Sequence, residues 1–170
     1  MSSNKMARVM LLFGGNVGDV SSRIERGVDL LRASVGEPLR RSSMMVSEAW
    51  GFESETARFT NQAVEFATTL SPDELLAATQ RAEEMLGRNR SEELRDKELR
   101  GERYASRGID IDIILYDEIL YESDRLTIPH PLMQDREFVL RPIVEIAPEW
   151  RNVRCGVSCE ALLRELECKI

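Results

Sequence analysis

Residues Ile109 to Tyr116 read Ile-Asp-Ile-Asp-Ile-Ile-Leu-Tyr, and no other stretch of the chain limits its fold so strictly. The alternation has a period of two, which belongs to a β-strand and not to a helix. Side chains two apart share a face, so Asp110 and Asp112 project one way while Ile109, Ile111 and Ile113 project the other. Such a strand needs an apolar layer against its isoleucine face and something other than hydrocarbon against its aspartate face. Neighbouring carboxylates repel each other and lose solvation when covered. Either the aspartate face meets water on an edge strand, or a divalent cation compensates both charges, since carboxylate oxygens suit Mg2+. A side-by-side pair can also bridge two ions about 3.5–4 Å apart, the spacing that clamps a transferring phosphate.

The remaining periodicities supply the apolar layer. Arg8 to Phe13 is a short apolar run ended by Gly14-Gly15-Asn16 and reads as a buried strand. Ser22-Arg23-Ile24-Glu25 has the spacing of a capping box, and Ile24, Val28, Leu31 and Val35 recur behind it at helical intervals until Gly36 and Pro38. Ser43 to Ala49 is a second strand. Phe59 to Thr68 is a third, with Thr60, Gln62, Val64 and Phe66 on one face and Phe59, Asn61, Ala63 and Glu65 on the other. Ser71-Pro72-Asp73-Glu74 is another capping box, with proline at the first helical position. Its helix carries Leu75, Ala78, Thr79, Ala82 and Leu86 and stops at Gly87.

The order strand, helix, strand, strand, helix, strand predicts a ferredoxin-like α+β sandwich: an antiparallel sheet with helices on one face. A C-terminal hairpin through Asp117-Glu118, an apolar stretch from Phe138 to Ile146 and a last helix from Ser158 with Leu162, Leu163 and Leu166 complete one domain over 1–170. A doubly wound sheet would need more βα units than the chain offers.

Charge narrows the partners. Lys plus Arg total 23 against 30 Asp plus Glu, a net charge of −7, which excludes a broad surface for nucleic acid or anionic lipid but not a local anion site. No apolar run approaches the ~20 residues of a membrane helix, and no signal peptide is legible at the start. The expectation is a soluble cytoplasmic protein, acting as a monomer on small molecules. Cys155, Cys159 and Cys168 crowd one end in odd number, and His130 is the single histidine, so neither a disulfide framework nor a zinc site is expected.

Arginines precede the aspartate strand. Arg88-Asn89-Arg90 follows the second helix, and Arg103 and Arg107 stand just ahead of Ile109. Guanidinium forks match phosphate oxygens, so carboxylates holding Mg2+ beside several arginines point to phosphoryl-type transfer on a nucleotide. The bland alternative is that these arginines pair with Glu92, Glu93 and Glu102 as surface ion pairs. No Walker-type G-x-x-x-x-G-K-[ST] occurs, and Gly14-Gly15-Asn16-Val17-Gly18 fails the G-x-G-x-x-G spacing.

Five ordered blocks carry a resemblance: Gly14-Gly15-Asn16-Val17-Gly18-Asp19, Phe59-Thr60-Asn61-Gln62-Ala63, Arg107-Gly108-Ile109-Asp110-Ile111-Asp112, Leu126-Thr127-Ile128-Pro129-His130-Pro131 and Phe138-Val139-Leu140-Arg141-Pro142. Together they resemble the 6-hydroxymethyl-7,8-dihydropterin pyrophosphokinases of folate biosynthesis over about residues 8–150, leaving 151–170 as an extension. The resemblance implies transfer of the terminal pyrophosphate of ATP to the pterin hydroxymethyl group, with AMP released. It implies that Asp110 and Asp112 hold two Mg2+ ions and that Arg88 and Arg107 are the catalytic arginines. Gln80, Glu83, Arg90, Arg103, His130 and Arg136 fall on the ATP side. Asn61, Phe59, Phe138 and Trp50 fall on the pterin side, with Asn61 reading the amide edge and the two phenylalanines sandwiching the ring.

Three departures from the family pattern stand out. The usual Gly-Ser-Asn is Gly14-Gly15-Asn16, the usual Gly-Pro-Arg is Ala105-Ser106-Arg107, and the interval from Arg90 to Arg107 is longer, which predicts altered closure and not loss of activity. Two other classes remain: a related metal-dependent transferase acting on another alcohol, and a non-catalytic module that binds a small molecule. The paired aspartates weigh against the second, because a pure binding module has no need to concentrate negative charge.

Overall fold

The computed structural model describes residues 5–47, 58–88, 95, 98 and 108–169. Its centre is β1 (Ala7–Gly15), which pairs antiparallel with β4 (Phe59–Thr68) on one side and with β5 (Asp110–Tyr116) on the other. The far edge of β4 carries two short strands in line, β2 (Pro38–Arg41) and β3 (Met45–Ser47). The sheet order β2-β4-β1-β5 is the antiparallel order of a ferredoxin-like sandwich.

Two helices cover one face, α1 (Val20–Ser34) and α2 (Pro72–Met85). Beneath them Val9, Leu11, Phe13, Val64, Phe66 and Ile111 meet Ile24, Val28, Leu31 and Leu75 in one core. Each such fully buried side chain contributes about 1.5–3 kcal/mol relative to exposure. The other face is also covered along part of its length, by α3 (Glu137–Ile146) and α4 (Cys159–Cys168). There Met10, Leu12, Ala63 and Ile114 pack on Val139, Leu140, Ile143 and Leu162. Burial on both faces explains why β1 is a continuous apolar run instead of an alternating one. The expectation of helices on one face therefore holds for the sandwich proper, while the tail supplies a second layer. The apolar stretch 138–146, which carried no assigned structure, is a helix.

Local signals succeed or fail for identifiable reasons. Ser71 caps α2 as expected: its hydroxyl accepts from Glu74 N, and the Glu74 carboxylate accepts from Ser71 N at 2.8 Å. The box expected at Ser22 is a correction. The cap of α1 is Asp19, whose carboxylate accepts from both Ser22 N (3.1 Å) and Ser22 Oγ (2.7 Å), so Ser22 lies inside the helix. An aspartate three residues upstream competes better for the free amides than a serine hydroxyl, and these bonds hold the Asp19 carboxyl below the usual range.

Of the strand expected over Ser43 to Ala49, Met45–Ser47 forms as β3, Ser43 and Met44 lie before it, and 48–49 lie outside the described residues. Pro38–Arg41 forms a separate strand that was not expected. Between them buried Ser42 exchanges bonds with Ala63, its N–H donating to Ala63 O (2.9 Å) and its Oγ accepting from Ala63 N (3.0 Å). The chain turns from α1 into β2 at Gly36, where φ is +151° and any Cβ would lie 1.9 Å from Ala67 O.

After β5 the chain turns at Asp117, where φ is +43°, but the hairpin lies beyond the expected Asp117-Glu118 corner. It is formed by β6 (Tyr121–Glu122) and β7 (Thr127–Ile128) and closed by Ser123 N donating to Leu126 O at 2.8 Å. Pro129 follows on a cis peptide bond, and His130 N donates to Ile114 O (2.9 Å) along the outer edge of β5. A second small pair, β8 (Arg151–Asn152) with β9 (Val157–Ser158), leads into α4, which Ser158 caps. All three cysteines are free; Cys159 is buried, and burial pushes its thiol up to about 12. Among the described residues no helix is long and apolar enough to cross a membrane.

Candidate active site

The site is set by strand register. Gly14 on β1 lies opposite Asn61 on β4 and opposite Asp110 on β5, and in the next row Leu12 lies opposite Ala63 and Asp112. Directly paired residues share a face. Asn61, Asp110 and Asp112 therefore stand on one side of the sheet, the side away from α1 and α2, just beyond the part that α3 and α4 cover. Ile109, Ile111 and Ile113 are buried on the other side, as the alternation requires.

Two cavities flank the Gly14 row. One, of about 430 Å³, runs along the edge of β5 and is lined by Gln80, Glu83, Arg88, Asp110, Asp112 and His130. The other, of about 440 Å³, is lined by Asn61, Met45, Val46, Ser47, Arg136 and Phe138. Gly14 leaves room for the Asn61 side chain. A Cβ on it would lie 2.4 Å from Asn61 Oδ1, so the amide of Asn61 rests over bare backbone.

In the β5 cavity the charges are already arranged. Arg88 Nη1 donates to Asp110 Oδ1 at 2.9 Å and also to Glu83 Oε2. Asp110 and Asp112 are half-buried on one face of β5 and line the same cavity, and a pair of carboxylates is a donor set that fits Mg2+. This ion is commonly held by one or two carboxylates, with waters and substrate phosphates supplying the rest. Among the described residues there is no cluster of three His, Cys, Asp or Glu that would form an all-protein cage. His130 Nδ1 accepts from Leu132 N (3.2 Å), which assigns the proton of the neutral ring to Nε2. Burial lowers its pKa to about 4, helped by the Arg136 charge and opposed by Asp110, so the ring is neutral at pH 7. Gln80 Oε1 accepts from Arg125 at 3.2 Å, which ties α2 to the β6–β7 hairpin at the rim.

The second cavity is built differently. Asn61 is buried, and its Nδ2 donates to Ser47 Oγ at 3.3 Å. Phe138 lies in the first turn of α3 with the Arg136 guanidinium 5.6 Å from its ring centroid. Ser43 N and Oγ donate to the Glu145 carboxylate at 2.9 and 2.8 Å, which joins the β2–β3 corner to α3 and fixes the two walls relative to each other. Phe59 sits at the start of β4 opposite Ser47, two residues from Asn61 on the same face.

The residues read from sequence thus divide. Asp110, Asp112, Arg88, Glu83, Gln80 and His130 converge on the β5 cavity, and Asn61 and Phe138 share the other. Arg136, expected on the ATP side, lines the Asn61 cavity while its charge also acts on His130, so it stands between the two. Trp50, Arg90, Arg103, Arg107 and the Ala105-Ser106 departure lie outside the described residues. Ser47 and Arg125 were not singled out from sequence. Ser47 owes its place to pairing with β4, and Arg125 to a hairpin displaced from the expected corner.

The chain was compared with known proteins on this basis. The family model of 7,8-dihydro-6-hydroxymethylpterin-pyrophosphokinase (HPPK) matches residues 10–148. A 2-amino-4-hydroxy-6-hydroxymethyldihydropteridine pyrophosphokinase of Synechocystis sp. is 35% identical over 156 residues, covering 91% of this chain and 74% of its own. One from Porphyromonas gingivalis is 37% identical over 144 residues, 84% of this chain and 92% of its own. Among solved structures, the wild-type HPPK-DHPS of Plasmodium falciparum with pteroate superposes with a TM-score of 0.75 at 12% identity. It covers 95% of this chain, which spans 44% of that one, and the likeness supports the fold. With the family model covering most of its length and relatives above a third identical, the chain belongs to the 7,8-dihydro-6-hydroxymethylpterin-pyrophosphokinase family.

Proposed function

We propose that this protein transfers the terminal pyrophosphoryl group of ATP to the hydroxymethyl oxygen of 6-hydroxymethyl-7,8-dihydropterin, releasing AMP, as a step of folate biosynthesis. The observation that carries the reading is the Asn61–Gly14–Asp110 row, which sets a more apolar cavity holding a buried amide beside one lined by paired carboxylates on the same face of the sheet. A flat heterocycle with an amide edge suits the first cavity: Asn61 offers both donor and acceptor, and Phe59 and Phe138 offer ring faces. A triphosphate suits the second. Asp110 and Asp112 would hold Mg2+, which when bound neutralises phosphate charge and acts as a Lewis acid. His130 presents an Nε2–H donor without a positive charge to desolvate, and Arg88 brings a guanidinium to the same carboxylate row. Arg136, between the cavities, is placed to touch phosphate and ring together. Arg90, Arg103 and Arg107 add positive charge from the stretch before β5, Gln80 and Glu83 contribute from α2, and Trp50 belongs to the pterin side.

The test is a direct assay with ATP, Mg2+ and the hydroxymethyl pterin, following the nucleotide product. AMP in step with the pterin diphosphate is the expected result, and chelation of the divalent cation stops it. ADP as the product, or turnover that persists in Asp110→Ala, overturns the reading.

A further inference from the structure

Among the described residues, Arg88 is the most deeply covered arginine lining the charged cavity. Its side chain is 6% exposed, against 3% for Glu83 and 19% for Asp110, and one nitrogen, Nη1, donates to both carboxylates. Its backbone is tied as well, Arg88 N donating to Glu83 O at 3.0 Å. Charged groups covered to this degree persist only when paired. The arginine expected to work on substrate is thus held against Asp110. We propose that Arg88 and a divalent cation alternate at Asp110. Before the cation arrives the guanidinium is a counter-charge of the carboxylate, and arrival of the cation displaces it toward nucleotide phosphate while Glu83 retains it.

The displacement follows from the charges. A dication on Asp110 leaves the guanidinium facing positive charge across a single carboxylate, in a place too covered for water to screen it. Glu83 remains, anchored on the last turn of α2 with its own backbone bond to Arg88, so the arginine pivots on Glu83 instead of escaping to solvent. Phosphate oxygens are then the natural next partner for the N–H turned away from Asp110. Glu83 contributes to the nucleotide side, on this account, as a positioning residue that keeps Arg88 in the cavity through the exchange. The inference rests on Asp110 and Asp112 being the cation carboxylates.

The exchange is read on the full chain with metal alone, without nucleotide. Electron paramagnetic resonance titration with Mn2+ is expected to show roughly tenfold tighter binding in Arg88→Met than in the unaltered protein, the size of an ordinary coupling between two ligands of one site. Equal or weaker binding overturns the proposal. Side-chain 15N resonances of the unaltered protein provide the same test with no substitution. The Arg88 guanidinium signals are expected to shift as Mg2+ is added and Asp110 is lost as an acceptor while Glu83 remains, and signals unchanged at saturating Mg2+ overturn the exchange. Asp112→Asn separates the two layers. If it leaves Mn2+ affinity intact, the cation assignment itself fails and takes the exchange with it. If it abolishes binding while Arg88→Met has no effect, only the exchange fails.

Discussion

The two cavities beside Gly14 have nearly the same volume, about 440 and 430 Å³, and different chemistry. The Asn61 side has Met45, Val46, Phe138 and Leu166 around one buried amide, with two acid and two basic side chains, Asp135, Glu137, Arg136 and Arg141, also in its wall. The Asp110 side is walled by carboxylates, a guanidinium and a neutral histidine. They lie against β4 and β5, the two strands that flank β1, and the row through Asn61, Gly14 and Asp110 sets a residue of different chemistry toward each. Glycine suits the central position because a Cβ there would crowd the Asn61 amide. A binding site for two unlike substrates can thus be built from a single face of a sheet, provided that the two flanking strands carry different chemistry and the strand between them carries little.

The comparison can be broken one cavity at a time. The largest effect is expected on the charged side: Asp112→Asn should lower kcat/KM by about a thousandfold, the scale of losing a main electrostatic stabiliser of a transferring group. Direct binding measurements on that variant should still find the pterin bound with ordinary affinity; a matching loss of pterin binding would mean that the cavities are not separate. On the Asn61 side, Asn61→Ala should weaken pterin binding by about a hundredfold, since the ring's polar edge is left unpaired in a covered site. Nucleotide binding should stay within about twofold, and a larger change would again merge the two sites. Gly14→Ala puts a methyl group against Asn61 Oδ1 and should raise the pterin KM by roughly tenfold with the fold intact, as an overpacked contact does.

The smallest effect concerns acid stability and belongs to the charged side alone. His130 titrates near pH 4 in the folded chain and near 6.5 when unfolded, so between these values the unfolded state binds more protons. Stability is full above about pH 6.5 and falls as pH drops toward 4, by at most about 3 kcal/mol. His130→Gln should flatten that segment of the curve of unfolding free energy against pH. A curve of unchanged slope would show that the ring is not held neutral.

Much of this was legible in the residues, for reasons that differ element by element. The capping box at Ser71, the alternation from Phe59 to Thr68 and the two faces of β5 were read correctly, because each depends on spacing within one segment. Ser22 was misread as a cap because Asp19, a stronger acceptor one turn earlier, decides where α1 begins. The strand Pro38–Arg41 and its break from Met45–Ser47 at Ser42 are not legible locally, because that break is tied to Ala63, which a local pattern does not contain. The helix over Glu137–Ile146 is hard to read from its own residues, since Pro142 lies inside it and proline normally argues against a helix interior. Among the site residues, Asp110 and Asp112 declared themselves by alternation. Ser47 and Arg125 could not, since nothing in their own neighbourhood refers to Asn61 or Gln80.

By itself the sequence determined the order of elements, the faces of the strands and the residue types able to hold cation, phosphate and ring. All of these follow from short-range periodicity and side-chain chemistry. Only the tertiary structure decided that Asn61 and Asp110 stand in one row with Gly14 between them, that Arg136 lies between the cavities, and that Arg88 is held by Glu83 and Asp110 together. Register between strands distant in sequence is fixed by the joint packing of two cores, one on each face of β1. No local pattern encodes the outcome of that packing.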